Sequence, residues 1–133
     1  MINNKEILVS VIKRLKENVE LQQLVRSFYV YNRPKQDGIL PYISVYIDRS
    51  DRYDTKVELG YQVNIMVDIW SEKETDGEVL DIGDIVRKEL QYTELDDLSF
   101  QNISLEFDFI DVFRETDDNT AHAVLSFIGY FSE

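Results

Sequence analysis

Catalysis by this 133-residue chain would depend on few side chains, because the sequence contains one histidine, His122, and no cysteine. A nucleophile activated by a base would have to pass through His122 or through carboxylates alone. His122 stands between Ala121 and Ala123 in a run that reads as a strand, and no recognisable nucleophile motif surrounds it. We interpret it as a structural or interface residue.

Two pairs of adjacent carboxylates, Asp96-Asp97 and Asp117-Asp118, are the other candidates for acid–base or metal chemistry. Each pair falls in a predicted turn, where aspartate is common because its side chain bonds to the nearby backbone. Neither pair has the ligand spacing of a calcium loop. The five glycines are scattered, so they form no phosphate-binding loop. We therefore predict a protein that is not an enzyme and holds no metal ion or cofactor.

The composition is that of one acidic, folded domain spanning residues 1–133. Hydrophobic residues make up 44% of the chain, enough to build one core, and the length is too short for two. The 26 acidic and 14 basic residues give a formal charge of −12, which disfavours a partner held through phosphate contacts. The amino terminus lacks signal-peptide features and no apolar run reaches membrane-spanning length. We expect a soluble protein with no nucleic-acid or membrane partner.

Two helices are predicted from apolar residues that recur at helical spacing. The first runs from Asn4 to about Val19, with Asn3 or Asn4 as its N-cap, and a further turn follows through Val25. The second runs from Thr75 to Leu90, and Thr75 with Glu78 matches a capping box at its start.

Strands are predicted where apolar and polar residues alternate. The predicted strands are Phe28–Tyr31, Pro41–Ile47, Tyr61–Ile69, a run from Ile103 to Val112, and Ala121–Phe131. The alternation changes phase between Phe109 and Ile110, which predicts a bulge or a strand end. The last strand is apolar on both faces, as in a central strand or one buried against another subunit. The charged stretch Asp48–Lys56 is predicted to be an exposed, mobile connection, and Glu115–Asn119 a polar turn.

This element order predicts an α+β fold, with a mostly antiparallel sheet of about four to five strands and two helices packed on one face. The sequence also has more aromatic residues than a small two-helix core should need, among them Tyr29, Tyr31 and Trp70. They either cover the sheet or lie in a protein interface, where aromatic residues are enriched.

Several segments in a fixed order carry a likeness to a known family. They are the amino-terminal helix, Val30-Tyr31-Asn32, Pro41-Tyr42-Ile43-Ser44-Val45, Val63 to Ser71, the helix from Thr75 to Leu90, and a last strand led by His122. Over nearly the whole chain this order resembles the phage tail terminator and tail-to-head joining proteins, minor tail proteins of long-tailed bacteriophages. One departure is Asn32, where the family often has aspartate; both residues suit a turn.

The resemblance implies a homohexameric ring in the neck of the virion, assembled in the host cytoplasm. The ring would dock on the last ring of the tail tube protein, stop its polymerisation and present its opposite face to the head-tail connector protein. Six copies would carry 6 × −12 = −72 charges. A lumen of that sign would repel DNA and let it pass without specific binding. No catalytic residue is implied.

The candidate contact residues for the neighbouring subunits or the tube come from the charged stretch and from the aromatic residues. They are Asp48, Arg49, Asp51, Arg52, Tyr53, Asp54, Tyr29, Tyr31 and Trp70. Three alternatives stay open: another head-tail connector or head-completion subunit, an acidic inhibitor that mimics DNA, and a small enzyme using carboxylates alone. Lys and Arg dispersed among the acidic residues disfavour the DNA mimic, and the lack of a recognisable set of catalytic residues disfavours the enzyme.

Overall fold

A computed structural model describes residues 2–25, 29–33, 39–54, 56, 59–72, 75–114 and 120–133. The fold is α+β, as expected, with one five-stranded mixed sheet and three helices. The elements are α1 (Asn4–Glu17), α2 (Val19–Gln22), β1 (Val30–Tyr31), β2 (Tyr42–Arg52), β3 (Gly60–Ser71), α3 (Gly77–Leu90), β4 (Gln101–Arg114) and β5 (Ala121–Ser132). No helix in these described ranges is both long and apolar enough to cross a membrane.

The strand order across the sheet is β1-β2-β3-β5-β4. β1 lies parallel to β2, and every other neighbouring pair is antiparallel. β5 therefore lies between β3 and β4, which confirms the first of the two alternatives expected from its apolar faces, a central strand. The sheet ends in β1, which has two residues, and in β4, which has 14.

The core lies between one face of the sheet and the helices α1 and α3. On β3 the alternation predicted from sequence places Val63, Ile65, Val67 and Ile69 on this face, each 0% exposed. The helices bury their apolar stripes against them, through Ile7, Val11 and Leu15 of α1 and Val79, Ile82 and Val86 of α3. Each such side chain contributes about 1.5–3 kcal/mol by its burial.

The helix starts differ in how well the sequence predicted them. Asn3 caps α1, accepting hydrogen bonds from the backbone N–H groups of Lys5 and Glu6. The capping box at Thr75 and Glu78 is wrong, because the N-cap of α3 is Asp76, which makes no side-chain cap bond. Glu78 Oε1 instead accepts a 2.6 Å hydrogen bond from Ser71 Oγ at the end of β3.

The predicted connection Asp48–Lys56 is wrong over its first half, because β2 continues to Arg52, which pairs with Tyr61 of β3. The strand continues through backbone pairing, which requires no apolar side chain where both faces are solvated. The expected exposure is confirmed, since Asp48, Arg49, Asp51 and Arg52 are all exposed.

The bulge predicted from the phase change is confirmed. The register of β4 against β5 shifts between Phe107 and Phe109, so Asp108 is the extra residue. In the first predicted strand, regular pairing begins only at Val30. Phe28, the predicted turn Glu115–Asn119 and the pair Asp117-Asp118 lie outside the described residues.

Candidate subunit interface

The candidate contact residues form two groups at opposite ends of the sheet. Asp48, Arg49, Asp51, Arg52, Tyr53 and Asp54 lie at one end, and Tyr31 and Trp70 lie at the other. Because Trp70 pairs with Tyr42 while the first group begins at Asp48 of the same strand β2, the groups lie about 20 Å apart at the usual rise per residue. The structure therefore does not join them into one site.

The first group forms a charged projection, which we call the arm and define as Asp48–Asp54. Two arginines each pair with an aspartate two residues further along the chain. Arg49 Nε lies 3.0 and 2.8 Å from the carboxylate oxygens of Asp51, and Arg52 Nη2 lies 2.6 Å from Asp54 Oδ2. Exposed pairs of this kind contribute only about 0–1 kcal/mol, so they distribute charge more than they stabilise the fold.

Gly60 closes the arm onto β3. Tyr53 N donates a 2.7 Å hydrogen bond to Gly60 O, and Gly60 N donates to Asp54 Oδ1 at 3.3 Å. A Cβ atom at position 60 would lie 2.5 Å from the carbonyl oxygen of Tyr53, so only glycine fits. The Tyr53 ring, 54% exposed, packs edge-on against Tyr130 of β5 at 5.3 Å between centroids.

The second group belongs to a row of rings that crosses the sheet face opposite the helices. Each strand supplies one ring, and we call these five residues the aromatic row: Tyr31, Tyr42, Trp70, His122 and Phe113. Successive ring centroids lie 5.5, 6.0, 3.7 and 4.6 Å apart. Tyr29 lies outside the row, half-buried against the core.

His122 is buried within this row, 7% exposed, and its Nε2 lies 3.4 Å from Asp68 Oδ2. Asp68 is 6% exposed, so the imidazole is its ion-pairing partner when protonated. Sequence reasoning missed this contact. The two residues are far apart in sequence and meet only because β3 and β5 are neighbours in the register Trp70 to His122.

Between the arm and the row, the same sheet face has a shallow depression of about 350 Å³. At its floor, Asn64 Nδ2 donates to Ser126 Oγ at 2.8 Å, and Ser126 Oγ donates to Asp108 Oδ2 at 3.3 Å. Asp48, Asp51 and Asp108 line it with Arg49, and Phe109 adds a ring that is 41% exposed. This face is therefore mainly acidic, with an exposed apolar side chain.

The acidic pair Asp96-Asp97 joins elements of the same chain. Lys13 Nζ lies 2.7 Å from Asp97 Oδ2, and Arg14 Nη1 lies 3.4 Å from Asp96 Oδ2. The hydrogen bond and charge of Asp97 raise the pKa of Lys13 above its ordinary 10.5. Across the residues that the structure describes, no three His, Cys, Asp or Glu side chains are arranged to hold a metal ion.

Comparisons with known proteins agree with a phage-like fold. A chain in the solved structure "Virion of native gene transfer agent (GTA) particle" superposes with a TM-score of 0.80 at 16% sequence identity, covering 97% of this chain and 96% of that one. No curated protein sequence matches significantly. The family described as "Tail completion protein gp17" matches residues 9–131. Because this match spans most of the 133 residues, the chain belongs to the family of tail completion proteins gp17, structural proteins of the phage tail.

Proposed function

We propose that the protein forms a ring of six copies that caps the head-proximal end of the phage tail tube. The ring stops polymerisation of the tube protein and joins the tail to the head-tail connector protein. The observation that carries this proposal is the family match over residues 9–131, because completing a tail requires a protein that ends the tube. The likeness to a chain of a gene transfer agent virion supports a place in the particle.

The charge of the chain supports a ring through which DNA passes. Six copies carry 6 × −12 = −72 formal charges. A lumen of that sign repels the DNA backbone, so DNA moves through it without specific binding. A lumen lined by Lys and Arg would contradict this part of the proposal.

The two groups of candidate contact residues serve different partners in this proposal. The arm is exposed and nearly balanced in charge, with three acidic and two basic residues from Asp48 to Asp54, so it can approach another acidic subunit. Tyr31 and Trp70, with Tyr29 nearby, lie at the other end of the sheet and are assigned to the tube or the connector. Aromatic residues of this kind are enriched in interfaces.

Two other roles differ from this one in the charge pattern they need or in the partner they bind. A DNA mimic needs an array of carboxylates without cations, whereas the described carboxylates of Asp97, Glu89 and Asp51 each pair with a Lys or Arg. A connector or head-completion subunit shares the acidity and the ring, but it would bind the head and leave tubes uncapped.

Negative-stain electron microscopy of the purified protein at high concentration, with and without tail tubes, tests the proposal. We expect rings, or tubes that carry a cap at one end and stop growing. Monomers that leave tube length and tube ends unchanged would contradict the tail-capping role. Rings that bind isolated heads but not tubes would favour the connector role.

A further inference from the structure

Within the part of the chain that the structure describes, strand pairing leaves two open edges on opposite sides of the sheet. β1 pairs with β2 only at Ile43 and Ser44, and Asn32 Nδ2 then bonds to Val45 O at 2.8 Å. Beyond that point, among the described residues, the stretch Tyr46–Arg52 pairs only with β3. We call this stretch the β2 edge.

The second edge belongs to β4. Tyr92 N donates to Leu105 O at 2.8 Å and covers the first part of the strand. From Glu106 to Phe113 the strand pairs with β5 alone, as far as the described residues extend. We call this stretch the β4 edge. A free edge of this length is a template for another strand, because its outward N–H and C=O groups lack partners.

The two edges have the directions needed to pair with each other between copies. Each step from β2 to β3, to β5 and to β4 is antiparallel, so β2 and β4 run in opposite directions. A second copy placed beside the first in the same orientation therefore presents its β2 edge antiparallel to the β4 edge of the first.

Charge favours this pairing over a symmetric one. The β4 edge carries Glu106, Asp108 and Asp111 and no basic residue. The β2 edge is neutral, because Asp48 and Asp51 are balanced by Arg49 and Arg52, two of the three basic residues in all five strands. Two β4 edges would bring like charges together, which destabilises a strand pair, whereas β4 against β2 brings carboxylates to arginines. Arg49 bonds to its own Asp51 through Nε, which leaves its terminal nitrogens for a neighbour.

We propose that neighbouring copies join by antiparallel pairing of the β4 edge of one copy with the β2 edge of the next. This inference rests on the proposed ring and names its subunit contact. The two surfaces differ, so the contact is head-to-tail and propagates until the ring closes. The β2 edge lies toward the arm end and the β4 edge toward the aromatic row, so paired copies are displaced along the strands. Closed sheets require such a stagger.

Backbone hydrogen exchange provides a test that does not depend on the register. We compare the dilute protein with assembled rings, or with capped tubes if rings close only there. We expect slowed exchange in both Tyr46–Arg52 and Glu106–Phe113. Rings whose two edges exchange as fast as in the dilute protein would overturn the edge pairing and leave the ring itself intact. A dimer protected only at the β4 edge would overturn it in favour of symmetric pairing.

Charge reversal tests the same contact from the side chains. The variant Glu106→Lys with Asp111→Lys should lose ring formation, and adding Arg49→Glu should restore it. The matched control is Asp81→Lys with Asp84→Lys, the same change in charge at exposed positions of α3, which should leave rings intact. Circular dichroism confirms that each variant is folded. Unchanged rings in the first variant overturn the inference; a wild-type protein that neither closes into rings nor caps tubes overturns the proposed function as well.

Discussion

The indole ring of Trp70 lies against the imidazole ring of His122, with their centroids 3.7 Å apart and their planes 18° apart. Tyr42 stacks on the other side of the indole at 6.0 Å, so Trp70 links two strands through its side chain. The ring is half-buried on a sheet face that the helices do not cover. The contacts of the Trp70 ring with Tyr42 and His122 therefore stabilise the fold, while the rest of the ring remains on the surface.

Replacing Trp70 by alanine should lower the free energy of unfolding by about 2 kcal/mol, below the range for fully buried tryptophan because this ring is half-buried. Urea titration followed by circular dichroism measures the change, since the chain has no second tryptophan for fluorescence. Phe113→Ala is the control, because its ring is 46% exposed and its centroid lies 4.6 Å from that of His122, further than the indole does. A larger loss from Phe113→Ala than from Trp70→Ala would contradict this account.

Gly129→Ala should destabilise the protein by about 1–3 kcal/mol, as overpacking a core does. A Cβ atom at position 129 would lie 2.6 Å from Cε2 of Phe131, a ring that is 0% exposed and cannot turn away. Gly77→Ala is the matched control, because the one atom of the described residues that its Cβ would meet is Thr75 Oγ1, at an ordinary 3.5 Å at the start of a helix. Equal urea midpoints for the two variants would show that the core accommodates the extra methyl group.

Asn18→Ala should cost about 1–2 kcal/mol, because one side chain performs two tasks. Asn18 Oδ1 accepts a 2.7 Å hydrogen bond from Leu21 N at the start of α2, and its Nδ2 donates to Glu89 Oε1 of α3 at 2.8 Å. Asn3→Ala removes an exposed cap alone and should cost less. Chemical denaturation of both variants checks this, and a smaller loss at Asn18 would refute the double role.

The pKa of Tyr46 is raised above its ordinary 10.0, first by burial and then by the charges of Asp68 and Asp48. Since the folded state holds the proton more tightly, the stability contributed by this group is fully present below pH 10.0. It is lost as the pH rises through the folded-state pKa. Tyr46→Phe should therefore weaken the alkaline loss of stability. Urea midpoints below and above pH 10.0 measure it, with Tyr92→Phe, at a residue that is 81% exposed, as the matched control.

Sequence periodicity predicted the helices and strands that bury one face against the core. On β3 the aliphatic residues from Val63 to Ile69 recur at every second position because their face lies under the helices, and the bulge at Asp108 was visible as a phase change. The end of β2 was missed because alternation of apolar and polar residues appears only where one face of a strand is buried. Past Ile47 both faces are solvated, so its side chains carry no alternation, and only backbone pairing with β3 defines the strand.

The geometry of the candidate interface depends on contacts between distant parts of the chain. Trp70 was selected from sequence, but its neighbour His122 and the buried Asp68 became visible only with the order of β3 and β5. The capping box failed because Ser71, seven residues before Glu78, competes for its carboxylate. Local pattern alone does not resolve such competition.

The two ends of the sheet are chemically unlike, with charged Asp48–Asp54 at one and the five rings of the aromatic row at the other. In the proposed head-to-tail ring every copy points the same way, so the two rims of the assembly differ as the two ends of the sheet do. One rim then carries the charged arm and the other carries the aromatic row. A ring with two different rims can bind one protein at one rim and a different protein at the other. The order of proteins along the tail axis would then follow from the orientation of the ring.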